Sequence, residues 1–160
     1  MREEVRIKLR SIRYEVEASM FSDESDETVA VSASEEDNEP ERIEINTLGI
    51  MKKENGRIEI SYEETQATGM EGSSTAVSFL TDEPGVVSMI REGVVSTALV
   101  FETGKRHHCV YQTPFMPFEV CVYTKKVENH IVDGGYLELD YMIEIRGARA
   151  ERTQFRLELL

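Results

Sequence analysis

Apolar side chains along this chain recur mainly at every second position, the period of a β-strand with one buried face. The pattern opens with Val5, Ile7 and Leu9 and then changes phase to Ile12, Tyr14 and Val16, which predicts a long first strand with a β-bulge near residues 10–11. A second strand is expected over about 42–53, with Gly49 at a bend. Asn55 and Gly56 follow, and both tolerate the positive φ of a type I′ hairpin turn. In "RIEISYEET", Ile58, Ile60, Tyr62 and Glu64 share a face. "STAVSFL" and "VVSMIRE" continue the series, the second placing Val87, Met89 and Arg91 together, with a turn expected around Pro84 and Gly85. "VSTALVFE" runs to a turn at Thr103 and Gly104. In "YLELDYMIEI", Leu137, Leu139, Tyr141, Ile143 and Ile145 alternate inward, and Phe155, Leu157 and Leu159 do the same in the closing run.

Nine or ten strands joined by tight turns, with no convincing amphipathic helix, make the chain all-β. A meander of this length curls and closes, because closure removes exposed edges. The expected architecture is a single-domain antiparallel up-and-down β-barrel of about ten strands spanning residues 1–160.

Composition changes this picture in one place. Nine of the acids responsible for the net charge of −13 lie in residues 22–41, which hold no base, so the rest of the chain carries −4. That stretch reads as a flexible acidic insert in a mildly acidic body. Nucleic acid and anionic membrane surfaces are poor partners for such a chain. Neither a signal-peptide core nor an apolar run of about 20 residues is present. A cytoplasmic setting, with both cysteines reduced, follows as an expectation.

The stretch 105–126 holds two adjacent histidines and both cysteines. "RHHCVYQ" and "FEVCVYTKK" read as the arms of a hairpin around the loop "TPFMP". Centred on that loop, the pairing sets Cys109 opposite Cys121. His107, Cys109 and Cys121 would give three soft ligands, but His108 points to the other face and no C-x-x-C pair supports a zinc site. The stretch therefore reads as the outer face of a hairpin, with no metal and no cofactor. The chain also lacks a P-loop, a nucleophile elbow and an EF-hand loop, and Glu63 and Glu64 as strand neighbours point to opposite faces. No nucleophile, base and orienting group can be assembled into a catalytic set.

The segments "ISYEE", "VSMIREG", "VFETG", "VYQTPF" and "DGGYLELDYMIEI", taken in order, resemble the YwiB-like family of small bacterial proteins of unknown function. The resemblance covers about Gly49 to the C-terminus and, more weakly, the first strand. Glu63 and Glu64, Arg91 with Gly93, Tyr111 with Thr113 and Pro114, and Tyr141 match family positions. Met116 stands where family members commonly have glycine, and the acidic segment is longer than usual. The resemblance implies a lipocalin-like, calycin-type barrel and no established activity.

A barrel of eight or more strands can enclose a small-molecule cavity. The expected lining is Tyr62, Met89, Phe101, Tyr111, Tyr141 and Phe155. Arg91 and Glu64 are charged residues on otherwise apolar inward faces, where a charge must be paired or lie near the mouth. Two roles are open for Arg91: a polar anchor for an anionic ligand, or an ion pair with Glu64 that caps the core. The functional expectation is a binding protein for a small, partly apolar or anionic ligand. The alternative is an interaction protein with a filled barrel, acting through its outer surface or residues 22–41.

Overall fold

The computed structural model describes residues 1–17, 40–66, 71–145 and 149–160. The acidic insert expected at 22–41 lies almost wholly outside the described residues. Among the described residues ten strands follow one another: β1 (Arg2–Glu17), β2 (Glu41–Glu54), β3 (Arg57–Glu63), β4 (Ser74–Leu80), β5 (Glu83–Glu92), β6 (Thr97–Glu102), β7 (Arg106–Tyr111), β8 (Phe118–His130), β9 (Tyr136–Ile145) and β10 (Arg149–Leu159). All pairs are antiparallel, in the order β6-β5-β4-β3-β2-β1-β10-β9-β8-β7. The two ends of this sheet meet at a bridge between Ser96 and Gln112. The turn at Gly104 and Lys105 is tied to Thr124 of β8 by two backbone hydrogen bonds, at 2.8 and 3.1 Å. The result is a nearly closed barrel, as the alternation predicts, with its seam between β6 and β7.

The β2–β3 hairpin turns on Asn55 (φ 52°) and Gly56 (φ 74°), the left-handed pair that the sequence pattern requires. The next hairpin differs from expectation. Leu80 pairs with Glu83, so the turn is Thr81 and Asp82, while Pro84 and Gly85 lie within β5 beside a register shift. The loop after β7 closes on Thr113, whose Oγ1 accepts from Met116 N and donates to Met116 O, at 3.1 and 2.6 Å.

The bulge expected near residues 10–11 is not there. β1 keeps one register with β10 from Ile7 to Glu17 and one with β2 from Arg2 to Arg13. The pleat is continuous, and what changes phase is the chemistry. Ile7 and Leu9 face the core, and Ser11, Arg13 and Glu15 continue the same inward face. Ile12 and Tyr14 face outward, opposite Gln154 and Arg152 of β10. There they are only half-buried, the Arg152 guanidinium lying 5.7 Å from the Tyr14 ring centre. A bulge does occur in β8, where the register with β9 shifts by one residue between Thr124 and Lys126.

The hairpin over 106–123 also differs by one residue. Cys109 pairs with Val120 and His108 with Cys121, so the cysteines are not cross-strand partners. Both are free thiols, and Cys109 packs against the core instead of standing on an outer face.

The core occupies one half of the barrel. Ile7, Ile60, Val77, Val87, Phe101, Leu137 and Leu157 are essentially inaccessible to water and fill it from wall to wall. Gly49 of β2 allows close approach there: a Cβ at this position would lie 2.3 Å from Ile7 Cδ1 and 2.7 Å from the Ser61 carbonyl oxygen. Gly49→Ala is therefore expected to destabilise the fold by about 1–3 kcal/mol in urea denaturation. Gly85→Ala, with nothing within 4 Å of its Cβ, is expected to leave stability nearly unchanged.

Candidate functional site: the open half of the barrel

Above the filled half the same inward faces line a cavity of about 460 Å³. Seven of the eight residues singled out from sequence meet in it: Tyr62 of β3 and Glu64 just beyond it, Met89 and Arg91 of β5, Tyr111 of β7, Tyr141 of β9 and Phe155 of β10. Phe101 is the exception. It lies fully buried below, its ring centre 4.5 Å from that of Tyr141, and so supports the floor without lining the cavity.

The cavity wall formed by β3 to β6 carries a row of polar residues set by strand register. Tyr62 pairs with Thr75, Thr75 with Arg91 and Arg91 with Thr97. Thr75 ties the row together. Its Oγ1 donates to Glu64 Oε1 at 2.6 Å and accepts from Arg91 Nε at 3.2 Å. Arg91 Nη2 stands 3.5 Å from the same Glu64 oxygen. The Glu64 side chain is 2% exposed and that of Arg91 22%, so a sealed carboxylate is held against a guanidinium that still reaches the cavity. Of the two roles open for Arg91, the ion pair is present. It leaves part of the guanidinium's five-donor fork facing inward.

The opposite wall, from β1, β9 and β10, was not legible as a site. Ser11, Arg13 and Glu15 of β1 face Glu151 and Thr153 of β10. Arg13 Nε stands 2.7 Å from Glu151 Oε1, and Thr153 lies directly across the β9–β10 ladder from Tyr141. The apolar residues of β1 change phase while its pleat does not, so nothing in the sequence marks Ser11, Arg13 and Glu15 as inward.

Electrostatically the site holds neutral donors. Burial pushes the Tyr62 phenol well above its ordinary value, Glu64 adds to the rise and Arg91 opposes it. Burial likewise raises Tyr111, with Tyr141 and Cys109 adding, and raises Tyr141 against the opposing pull of Arg91. The Cys109 thiol is pushed up to about 11, first by burial and then by Cys121, so it is a poor nucleophile at neutral pH. Thr75 has a carboxylate beside its hydroxyl, but it is 1% exposed and held between Arg91 and Glu64. It is a structural link with no path to a substrate. Among the described residues no three His, Cys, Asp or Glu side chains cluster as metal ligands. His107 Nε2 instead lies 3.5 Å from Glu102 Oε1.

A second depression, of about 440 Å³, lies outside the barrel over β1, β9 and β10. Two of its cations, Arg156 and Lys126, both pair with Glu138, as expected of a solvated ionic surface.

The fold and cavity define a class: an antiparallel ten-stranded barrel, solid at one end and hollow and polar-lined at the other. Residues 28–157 match the family described as "Domain of unknown function (DUF1934)", and the chain belongs to that family. The crystal structure of the ywiB protein from Bacillus subtilis is similar, with a TM-score of 0.62 and 18% sequence identity, covering 98% of this chain and 93% of that one. At that identity the likeness concerns the fold. No curated protein matches the chain.

Two outcomes test the site's electrostatics. Arg91→Met, which leaves Glu64 buried and uncompensated, is expected to destabilise by about 3 kcal/mol in chemical denaturation. Adding Glu64→Gln to it should recover part of that loss, since the buried charge is then gone. For the phenols, the unfolded chain ionises near pH 10 while native Tyr62, Tyr111 and Tyr141 keep their protons. Their linkage leaves stability unaffected below about pH 10 and lowers it as pH rises further. Phenolate absorbance at pH 10.5 should accordingly be lower in the native protein than in the protein unfolded in urea.

Proposed function

We propose that this protein is a non-catalytic binding protein that holds one small, partly apolar molecule in the open half of its barrel. Arg91 and the phenols of Tyr62, Tyr111 and Tyr141 are its polar contacts. The observation that carries this reading is the cavity itself. At about 460 Å³ it falls in the range of small-molecule sites, roughly 300–1,000 Å³. Met89, Leu99 and Ile143 supply apolar wall, and the polar groups converge on one region, as in sites that fix a ligand's orientation. The solid half of the barrel leaves the mouth as the route of entry. Two free thiols are in keeping with a reducing, cytoplasmic setting.

A second reading, that of an interaction protein, draws on the rim. Phe115 is 94%, Val94 75% and Met116 66% exposed, and the loops that carry them are brought together by the Ser96–Gln112 bridge. Apolar side chains gathered at one end are a recognised mark of contact surfaces.

Native mass spectrometry of freshly purified protein separates the two. The binding reading expects a fraction of barrels carrying one small-molecule adduct. Ile143→Trp, which fills the cavity with an indole, should abolish the adduct while leaving the melting temperature within a few degrees. A bare mass for the native protein under all loading conditions, or an adduct that persists in Ile143→Trp, would favour the interaction reading.

A further inference from the structure

The polar end of the cavity contains a hydroxyl that its own protein does not satisfy. Thr97 is 6% exposed, it lines the cavity, and among the described residues its Oγ1 has no hydrogen-bond partner. Buried hydroxyls without partners are uncommon, and each needs an explanation. Thr97 sits directly across the β5–β6 ladder from Arg91, so their backbones are about 4.5–5.5 Å apart and their side chains share the inward face. Arg91 spends Nε on Thr75 and directs Nη2 toward Glu64, which leaves further N–H groups on the cavity side. A hydroxyl and a guanidinium N–H thus converge from adjacent strands.

The charge of the lining limits what those donors can hold. Its cations are Arg13 and Arg91, and its carboxylates are Glu15, Glu64 and Glu151. Arg91 faces Glu64 at 3.5 Å, and Arg13 faces Glu151 at 2.7 Å. Each guanidinium therefore already has its counter-ion, and the lining as a whole holds one more carboxylate than cations. An incoming anion would gain attraction from Arg91, lose much of it to repulsion from Glu64 one position along the wall, and surrender its hydration as well. An uncharged acceptor incurs neither cost. A carbonyl oxygen offers two lone pairs, one for the Thr97 hydroxyl and one for an Arg91 N–H.

We infer that Thr97 and Arg91 form a recognition site for an uncharged carbonyl group, a ketone, ester or amide on an apolar body, in preference to a carboxylate. This rests on the ligand-binding reading above and names the chemistry of its ligand. Thr97 is a specificity-determining residue, and the phenols of the cavity remain neutral partners for the rest of the molecule.

Three probes of nearly equal shape test it: acetophenone (neutral carbonyl), benzoate (carboxylate) and α-methylstyrene (no acceptor). Each is titrated at pH 7 into the full-length protein and into Thr97→Val, with binding followed by ligand-observed NMR. Acetophenone should bind about tenfold or more tightly than benzoate, since the carboxylate must give up its hydration. Thr97→Val should weaken acetophenone by about fivefold and leave α-methylstyrene unchanged. Its melting temperature should be equal to or above that of the native protein, because an unsatisfied hydroxyl is lost. Benzoate binding as tightly as acetophenone would overturn the inference, as would a Thr97→Val variant that affects all three probes alike or none. If α-methylstyrene binds as well as acetophenone, the cavity reading survives and the carbonyl assignment falls. If none of the three binds, the carbonyl assignment falls, and the cavity reading is decided by the native-mass adduct and its loss in Ile143→Trp.

Discussion

Everything in this molecule depends on one geometric constraint: strands wound into a nearly closed barrel must send every second side chain into the same enclosed interior. In β1 no inward position escapes by slipping register, because the strand is locked to both β2 and β10 over most of its length. A slip of one residue would invert an entire strand. Along each strand the inward residue therefore reports its height in the barrel. Low positions carry Ile, Val and Leu and fill the interior, while high positions carry Arg, Glu, Thr and Tyr and line a space.

The polar half is stable because its buried charge is compensated locally. Glu64 is sealed from water, and a carboxylate in that position is costly unless it is paired and hydrogen-bonded. Thr75 and Arg91 provide both, and cross-strand register brings them to it. The same arrangement fixes the guanidinium, so its remaining donors point in a set direction before any ligand arrives, which is the condition for pre-organised recognition. On the far wall Arg13 and Glu151 repeat the arrangement with a different pair of strands. The cavity thus presents many hydrogen-bond donors, while its lining holds one more carboxylate than cations.

Much of the fold was legible because period-two alternation survives in β3, β5, β9 and β10, and because Asn55 and Gly56 suit only a narrow class of turn. Arg91 and Glu64 stood out for the same reason, as charges interrupting apolar faces. The first strand misled because apolar residues were taken to mark the inside. Near the mouth the inside is polar, and Ile12 and Tyr14 are partly sheltered on the outer face by neighbours such as Arg152. Sequence contains no measure of height within the barrel, so Ser11, Arg13 and Glu15 could not be assigned to the cavity, nor Phe101 to its floor. The pairing of Cys109 with Val120 turned on a single residue of loop length. Thr97 carried no signal at all, since an unsatisfied hydroxyl is a property of surroundings that only three dimensions define.

The most direct measurement of the two-zone barrel is a set of nuclear Overhauser contacts from the aromatic rings of the β9–β10 wall to β1. With a continuous pleat, the rings of Tyr141 and Phe155 should contact Ser11 and Arg13, with none reaching Ile12 or Tyr14. Contacts from those rings to Ile12 and Tyr14, with Ser11 and Arg13 remote, would mean that β1 reverses its faces and that the polar half of the interior does not exist.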